Sequence, residues 1–265
     1  MSTADLTDEL DENAEPDEHD RSKMSFLEHL EELRKRIIHA LYAILASFAL
    51  MFYFMGDMNT YMLRYFTQTA AGGEVKLLAT QLTEGFMFQF KLALLAATIL
   101  ATPFVLMQLW LFIAPGLYAK EKKVVVPFVA SASVLFGTGV WFAHFFAFPA
   151  TVKFLVGFGN EYLAVMPALS LIFGFYVRMV LVLGAIFEMP VLVFFMARFG
   201  IVTAGFMLRK MKYAILIIFI IAAVVTPTTD PVNLLMFAGP MMVLYLFSIG
   251  VAWIFGKKKK RSIDA

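Results

Sequence analysis

Six long apolar segments constrain this chain more than any other feature of its sequence. They cover residues 37–54, 86–113, 124–156, 169–199, 213–225 and 232–255. Their residues do not alternate between apolar and polar as the strands of a membrane barrel do. Since lipid offers no hydrogen bonds to a free backbone, continuous apolar runs of this kind predict transmembrane helices. The sequence therefore predicts an all-α, polytopic membrane protein with six transmembrane helices, and its 61% hydrophobic residues exclude an ordinary soluble domain.

Proline positions and segment lengths predict the shape of this bundle. Pro103, Pro190 and Pro240 lie inside apolar segments, where each removes a helix hydrogen bond and favours a kink. The fifth segment would extend only about 20 Å as a helix, against a hydrocarbon core of about 30 Å. We therefore expect a kinked, cup-shaped bundle that thins the bilayer around the fifth helix.

The distribution of basic residues predicts the orientation in the membrane. Lys and Arg concentrate before the first segment, between the second and third, between the fourth and fifth, and after the sixth. By the positive-inside rule, both termini are cytoplasmic, and the bacterial inner (plasma) membrane fits this topology. We expect an acidic, disordered tail over residues 1–23, a six-helix domain over 24–256 and a basic cytoplasmic tail over 257–265.

Several motifs lie in the predicted connections between these segments. They are EHLEELRKR at 28–36, WLFIAPGLYAKEKK at 110–123, FEMP at 187–190 and TPTTDP at 226–231. On these motifs the chain resembles the TatC family, which supplies the signal-receptor subunit of the twin-arginine translocase. The resemblance implies binding of Arg-Arg signal peptides of folded proteins at the cytoplasmic face. It also implies recruitment of single-span TatA-type and TatB-type subunits and export driven by the protonmotive force.

Glu32 and Glu121 are the candidate residues for recognising the arginine pair. A guanidinium stays protonated, and a carboxylate matches its two-pronged geometry. Glu121 is the only acid between the second and third segments, and Glu32 lies in the other cytoplasmic stretch that folding would bring close. By resemblance these two correspond to the family's signal-binding acids. The alternative is that both are ordinary interfacial charges paired with neighbouring Lys and Arg.

Apolar residues near these acids are candidates for holding the hydrophobic part of a signal peptide. The predicted rim consists of Leu30, Leu33, Phe112, Pro115, Leu117 and Tyr118. As interfacial residues, Phe112 and Tyr118 would also fit an ordinary aromatic belt. Arg34 and Arg36 are included in the predicted site, although they would set the topology even without a binding role.

Glu188 is the most prominent ionisable residue within an apolar segment. A carboxylate at that depth is costly and needs a polar partner. The resemblance implies that it meets a polar group on a partner subunit's transmembrane helix, and the alternative is an internal hydrogen bond to a Ser, Thr or Gln. We also expect His144 to be a hydrogen-bonded bundle residue and Asp230 to cap the sixth helix.

A small-solute or ion secondary transporter is the competing function. Glu188, Arg178 and Lys91 would then line a path, but polar residues at depth are scarce and no internal repeat is visible. Cysteine is absent and no phosphate-binding or hydrolase motif occurs. We therefore expect no enzyme activity, catalytic residue, metal, cofactor or nucleic-acid partner. One six-helix chain is too small to enclose a folded protein, so self-association and partner subunits are expected.

Overall fold

The computed structural model describes residues 18–71, 77–113, 125–157, 166–226 and 230–256. Within these ranges the chain is helical, and an isolated bridge between Leu78 and Ala168 is its only β pairing. The helices are α1 (Glu18–Tyr53), α2 (Met55–Ala71), α3 (Glu84–Ile113), α4 (Val125–Phe142), α5 (Phe148–Val156), α6 (Leu169–Phe187), α7 (Met189–Arg198), α8 (Ala204–Arg209), α9 (Met211–Val225) and α10 (Pro231–Phe255). A π-helical turn, Ala143–Ala147, joins α4 to α5. The all-α prediction is confirmed.

Five stretches of the described helices are long and apolar enough to cross a membrane. They are Leu27–Tyr53, Glu84–Phe112, Pro127–Val156, Leu169–Arg198 and Pro231–Phe255. The predicted fifth span corresponds to α9, whose 15 residues extend about 22 Å and fall short of a hydrocarbon core of about 30 Å. The six-span count and the local thinning therefore stay predictions.

The first helix is longer than the sequence predicted. It begins at Glu18, inside the stretch assigned to a disordered tail, and runs without interruption to Tyr53. Neither glycine nor proline occurs over this range, so nothing in the backbone stops the helix between the charged stretch and the apolar segment. Residues 1–17 and 257–265, which complete the two predicted tails, lie outside the described residues.

A helix that hydropathy did not predict, α2, lies between α1 and α3. It mixes polar and apolar residues, and buries Met62, Phe66 and Thr69 at helical spacing on one face. Phe66 is fully buried and packs against the rings of Phe148 and Tyr176. This short helix therefore closes one end of the bundle core instead of forming an open connection.

The prolines act differently in the three segments that contain them. Pro103 lies inside α3 and Pro240 lies inside α10, and both helices continue through them. Pro190 instead lies in the first turn of α7, directly after α6 ends at Phe187. At a first turn the missing N–H costs nothing, so the predicted kink is a break between two helices, with Glu188 at the junction.

Two glycines allow α4 and α6 to pack closely. A Cβ added to Gly139 would lie 2.8 Å from the carbonyl oxygen of Leu183 and 2.9 Å from Cα of Gly184. A Cβ on Gly184 would lie 2.7 Å from the ring of Phe136. Only residues without a side chain fit at this crossing. Small residues at a crossing are the usual means by which membrane helices approach one another closely.

Candidate functional site

The end of the bundle that carries Glu32 is built from α1 and α3, which pack along one another. Nη2 of Arg36 donates to Oε1 of Glu32 at 3.0 Å, one helical turn away. Nη1 of the same guanidinium donates to Oε1 of Gln108 on α3 at 3.4 Å. Arg36 thus links the Glu32 carboxylate to the neighbouring helix, and its buried Nε has no hydrogen-bond partner among the described residues.

A small apolar groove lies beside this ion pair, between the two helices. Its volume is about 140 Å³, and its lining consists of Leu33, Arg36, Ile37, Ala40, Val105, Gln108, Leu109 and Phe112. The ring of Phe112 stacks on His29, with centroids 4.5 Å apart and planes 22° apart. A carboxylate, a guanidinium and an apolar groove therefore meet at this end of the seam between α1 and α3.

The predicted site residues divide into those that this seam includes and those that it does not. Glu32, Arg36 and Phe112 belong to it, and the Glu32 side chain is 29% exposed. Leu30 and Arg34 are exposed and do not line the groove. Because positions two apart on a helix do not share a face, Arg34 lies away from both Glu32 and Arg36. Leu33, also predicted for the rim, lines the groove. The remaining predicted residues, Pro115, Leu117, Tyr118 and Glu121, lie outside the described residues.

Glu188 is buried at the junction between α6 and α7. The residue is 9% exposed, and its backbone carbonyl accepts the N–H groups of Val191 and Leu192, both at 3.0 Å. Its Oε1 is buried and has no hydrogen-bond partner among the described residues. The alternative of an internal hydrogen bond to a Ser, Thr or Gln is therefore not supported for this oxygen.

The other two polar residues behave as the sequence predicted. Nδ1 of His144 lies 2.8 Å from the hydroxyl of Tyr176, and Nε2 lies 3.1 Å from that of Tyr61. His144 is thus confirmed as a hydrogen-bonded bundle residue. Asp230 is confirmed as the cap of α10, because its Oδ1 accepts the N–H of Asn233 at 2.8 Å.

Two contributors to the architecture of the site were missed by sequence reasoning. Gln108 holds Arg36, and its only signal was its position as an isolated polar residue in an apolar segment. Glu84 connects the N-terminal ends of α3 and α6, since its Oε1 accepts the Ser170 N–H at 2.6 Å. An acid at the start of an apolar segment was the available signal, but the partner backbone could not be identified from the sequence.

Comparisons with known proteins agree with this fold. A family model described as "Sec-independent protein translocase protein (TatC)" matches residues 28–240. The protein of that name from Koribacter versatilis (strain Ellin345) is 43% identical over 231 residues, covering 86% of this chain and 85% of its own length. The one from Helicobacter pylori (strain J99) is 37% identical over 220 residues, covering 83% of this chain and 85% of its own.

A solved structure is also similar to this chain. The "Crystal Structure of Twin Arginine Translocase Receptor- TatC" superposes with a TM-score of 0.74 at 31% sequence identity. The superposition covers 84% of this chain and 97% of that chain. At this identity and coverage the similarity extends over the whole helical bundle and is not limited to one motif.

Proposed function

The chain belongs to the TatC family, and we propose that it is the signal-receptor subunit of a twin-arginine translocase. In this function it binds the Arg-Arg signal peptides of folded proteins at the end of the bundle that carries Glu32. The observation that carries the proposal is the seam between α1 and α3, where a partly exposed carboxylate adjoins an apolar groove. A signal peptide carries complementary groups in the same order, a cationic pair followed by an apolar stretch.

The geometry of the Glu32–Arg36 pair suggests how a peptide arginine would bind. Arg36 donates a hydrogen bond to Oε1 of Glu32. The other carboxylate oxygen, Oε2, takes no part in that hydrogen bond. A peptide guanidinium approaching from the exposed side would donate to Oε2 while Arg36 keeps the carboxylate oriented. Arg36 is then a positioning residue. In this proposal Glu121 provides the carboxylate for the second arginine.

The apolar part of the peptide would follow along α1 and α3. Phe112 stands at the mouth of the groove, stacked on His29. Leu30, Pro115 and Tyr118 remain proposed members of the same rim, as Arg34 remains a proposed member of the charged part. Apolar burial against such a surface is worth about 25 cal/mol per Å², so the hydrophobic stretch adds affinity that the arginines alone would not supply.

We place the Glu32 end of the bundle in the cytoplasm. The chain is a multi-pass membrane protein, and this end carries Arg34, Lys35 and Arg36, which the positive-inside rule assigns to the cytoplasmic side. A Cβ on Gly256 would lie 3.9 Å from Cβ of Ala197, so α10 and α7 finish at the same level. This arrangement supports six spans, with α9 as the fifth and both termini on the cytoplasmic side of the inner membrane.

Glu188 is the proposed contact for a partner subunit. An acid buried with an unpartnered oxygen is costly in an apolar surrounding, and a polar group from another helix would remove that cost. Single-span TatA-type and TatB-type subunits are the proposed source of that group. Further copies of this chain join the assembly, and the protonmotive force drives transport through it.

The transporter alternative gains no support from the arrangement of its key residues. Lys91 lines a groove between α3 and α6, but neither Arg178 nor Glu188 lines it. The three ionisable residues therefore do not share that groove, as residues lining one ion path would. The family, too, is one of protein translocases.

The proposed function is tested by peptide binding to the full chain in nanodiscs. A fluorescent signal peptide with an Arg-Arg pair is compared with the same peptide carrying Lys-Lys, with and without co-reconstituted partner subunits. We expect the Arg-Arg peptide to bind on the order of tenfold or more tightly, because bidentate charged hydrogen bonds are each worth about 1.5–3 kcal/mol. Equal affinity for the two peptides in both preparations would contradict the proposal.

A further inference from the structure

A second, larger groove lies between α3 and α6, far from the seam that holds Glu32. Its volume is about 350 Å³. Four of its lining residues are polar, namely Glu84, Lys91, Thr98 and Ser170, and the rest are Met, Phe, Leu, Val and Gly. This α3–α6 groove contains none of the residues assigned to peptide recognition or to partner contact, so neither of those functions explains it.

The two charged residues of the α3–α6 groove differ in whether their charged groups have partners. The Glu84 carboxylate accepts the N–H of Ser170 at 2.6 Å and the hydroxyl of Thr80 at 3.0 Å, so it is held at the mouth. Lys91 lies two turns further along the same helix, is exposed, and has no ion-pair partner among the described residues. The groove thus offers a fixed negative group, a free ammonium and an apolar wall.

The depth of Lys91 indicates what its ammonium can reach. The span Glu84–Phe112 has 29 residues and extends about 43 Å, so a centred, upright span would exceed a hydrocarbon core of about 30 Å by about 7 Å at each end. Lys91 is seven residues from Glu84, and in that placement its Cα would lie about 4 Å below the boundary of the hydrocarbon. Helix side chains lean toward the N-terminus, and lysines extend to the interface, so the ammonium reaches the lipid phosphate level.

The same depth argues against a carboxylate from a partner's transmembrane helix as the occupant. Such a group would have to lie within the hydrocarbon, whereas the ammonium of Lys91 reaches the headgroup layer. Below Lys91 the groove continues along Phe173, Val177 and Leu181, which match a hydrocarbon chain. Basic pockets between transmembrane helices are a known way of holding lipid headgroups.

We infer that the α3–α6 groove binds one phospholipid, with its phosphate on Lys91 and an acyl chain along α6. Because Glu84 and Lys91 carry opposite charges and are the only charged residues among the described ones that line it, the groove is neutral overall. This favours a zwitterionic headgroup whose primary amine donates to Glu84, as in phosphatidylethanolamine, over an anionic headgroup. The inference does not rest on the proposed receptor function. It identifies one phospholipid molecule as a specific ligand of this chain.

Native mass spectrometry of the full chain tests this inference. The delipidated protein is titrated separately with phosphatidylethanolamine, phosphatidylglycerol and phosphatidylcholine, and the first binding step is measured. We expect phosphatidylethanolamine to bind most tightly, and Lys91→Gln to weaken its first step on the order of tenfold. Lys91→Arg keeps the positive charge and should retain binding. Lys153→Gln is the matched control, since Lys153 is an exposed lysine that does not line the groove.

A second variant tests the apolar part independently of charge. A Cβ added to Gly174, which lines the groove, meets no atom within 4 Å, so the side chain of Gly174→Leu starts in open space and occupies part of the groove. It should weaken the first lipid-binding step as Lys91→Gln does, while thermal unfolding of both variants stays close to wild type. Unchanged lipid binding in both variants would overturn the inference, as would an equal loss in Lys153→Gln. Tighter binding of phosphatidylglycerol would overturn the headgroup assignment, and lipid-independent dimers abolished by Gly174→Leu would show that a second copy is the occupant.

Discussion

Glu84 and Ser170 are 86 residues apart in sequence, yet the Glu84 carboxylate accepts the backbone N–H of Ser170 at 2.6 Å. Ser170 lies in the first turn of α6, where amides have no partner inside the helix. The other carboxylate oxygen accepts from Thr80, just before α3. One side chain therefore fixes the starts of two neighbouring spans at the same level.

Removing this carboxylate should loosen the start of α6. We expect Glu84→Ala to lower the thermal unfolding temperature and to speed amide exchange at Ser170, because four backbone and side-chain donors lose their acceptor. Glu84→Gln, which keeps one acceptor oxygen, should fall between Ala and wild type. Asp57→Ala, at an exposed acid in the first turn of α2, is the control. Unchanged exchange at Ser170 in Glu84→Ala would show that the contact is not needed.

The crossing of α4 and α6 should not tolerate a side chain at Gly139. We expect Gly139→Ala to destabilise the chain by about 1–3 kcal/mol, because the new Cβ would meet backbone atoms that can move only with the helix. Gly137→Ala is the matched control on the same helix, since its Cβ would meet nothing within 4 Å. Thermal unfolding in detergent measures both. Equal unfolding temperatures for the two variants would contradict the close packing.

Glu188 should lower the stability of the isolated chain and promote binding of single-span partner subunits. We expect Glu188→Leu to raise the free energy of unfolding by about 1–3 kcal/mol, because it removes a buried carboxyl oxygen that has no partner among the described residues. The same variant should lose co-purification with single-span partner subunits. Glu188→Gln, which still offers polar atoms, should retain more of it. A Glu188→Leu variant that is both less stable and fully assembled would contradict the proposed contact.

Phe112 should contribute to the apolar part of peptide recognition and not to the reading of the arginine pair. We expect Phe112→Ala to weaken the Arg-Arg and Lys-Lys peptides by a similar factor, about 5-fold, equivalent to about 1 kcal/mol for one aromatic contact. Phe104→Ala on the same helix, where the ring is 57% exposed and lines no groove described here, should change neither affinity. A loss confined to the Arg-Arg peptide would contradict this separation of roles.

Hydropathy predicted the long apolar helices and missed α2, in which polar and apolar residues are mixed. The spans over α3, α6–α7 and α10 have a high mean hydropathy, so their composition alone identifies them. The helix α2 buries one face only, and a method that averages over a window treats it as a connection. The break at Glu188 was predicted as a kink from Pro190, because a proline's effect depends on whether the helix restarts there.

The candidate site was predictable as far as it depends on residue type. Glu32 and Phe112 were expected from their motifs, and the described residues place them on one seam. The link from Arg36 to Gln108 joins positions 72 residues apart, and only the packing of α1 on α3 brings them together. A single sequence contains no signal for that pairing, just as it contains none for Glu84 and Ser170.

The central claim is that Glu32 reads the arginine pair, and a double-mutant cycle tests it most directly. Affinities are measured for wild type and Glu32→Gln, each with the Arg-Arg and the Lys-Lys peptide, and Glu31→Gln at an exposed neighbouring acid serves as control. We predict a coupling energy of at least about 1 kcal/mol between Glu32 and the arginine pair, and none for Glu31. If Glu32→Gln weakens both peptides equally, Glu32 is an ordinary interfacial charge and the arginine pair is read elsewhere.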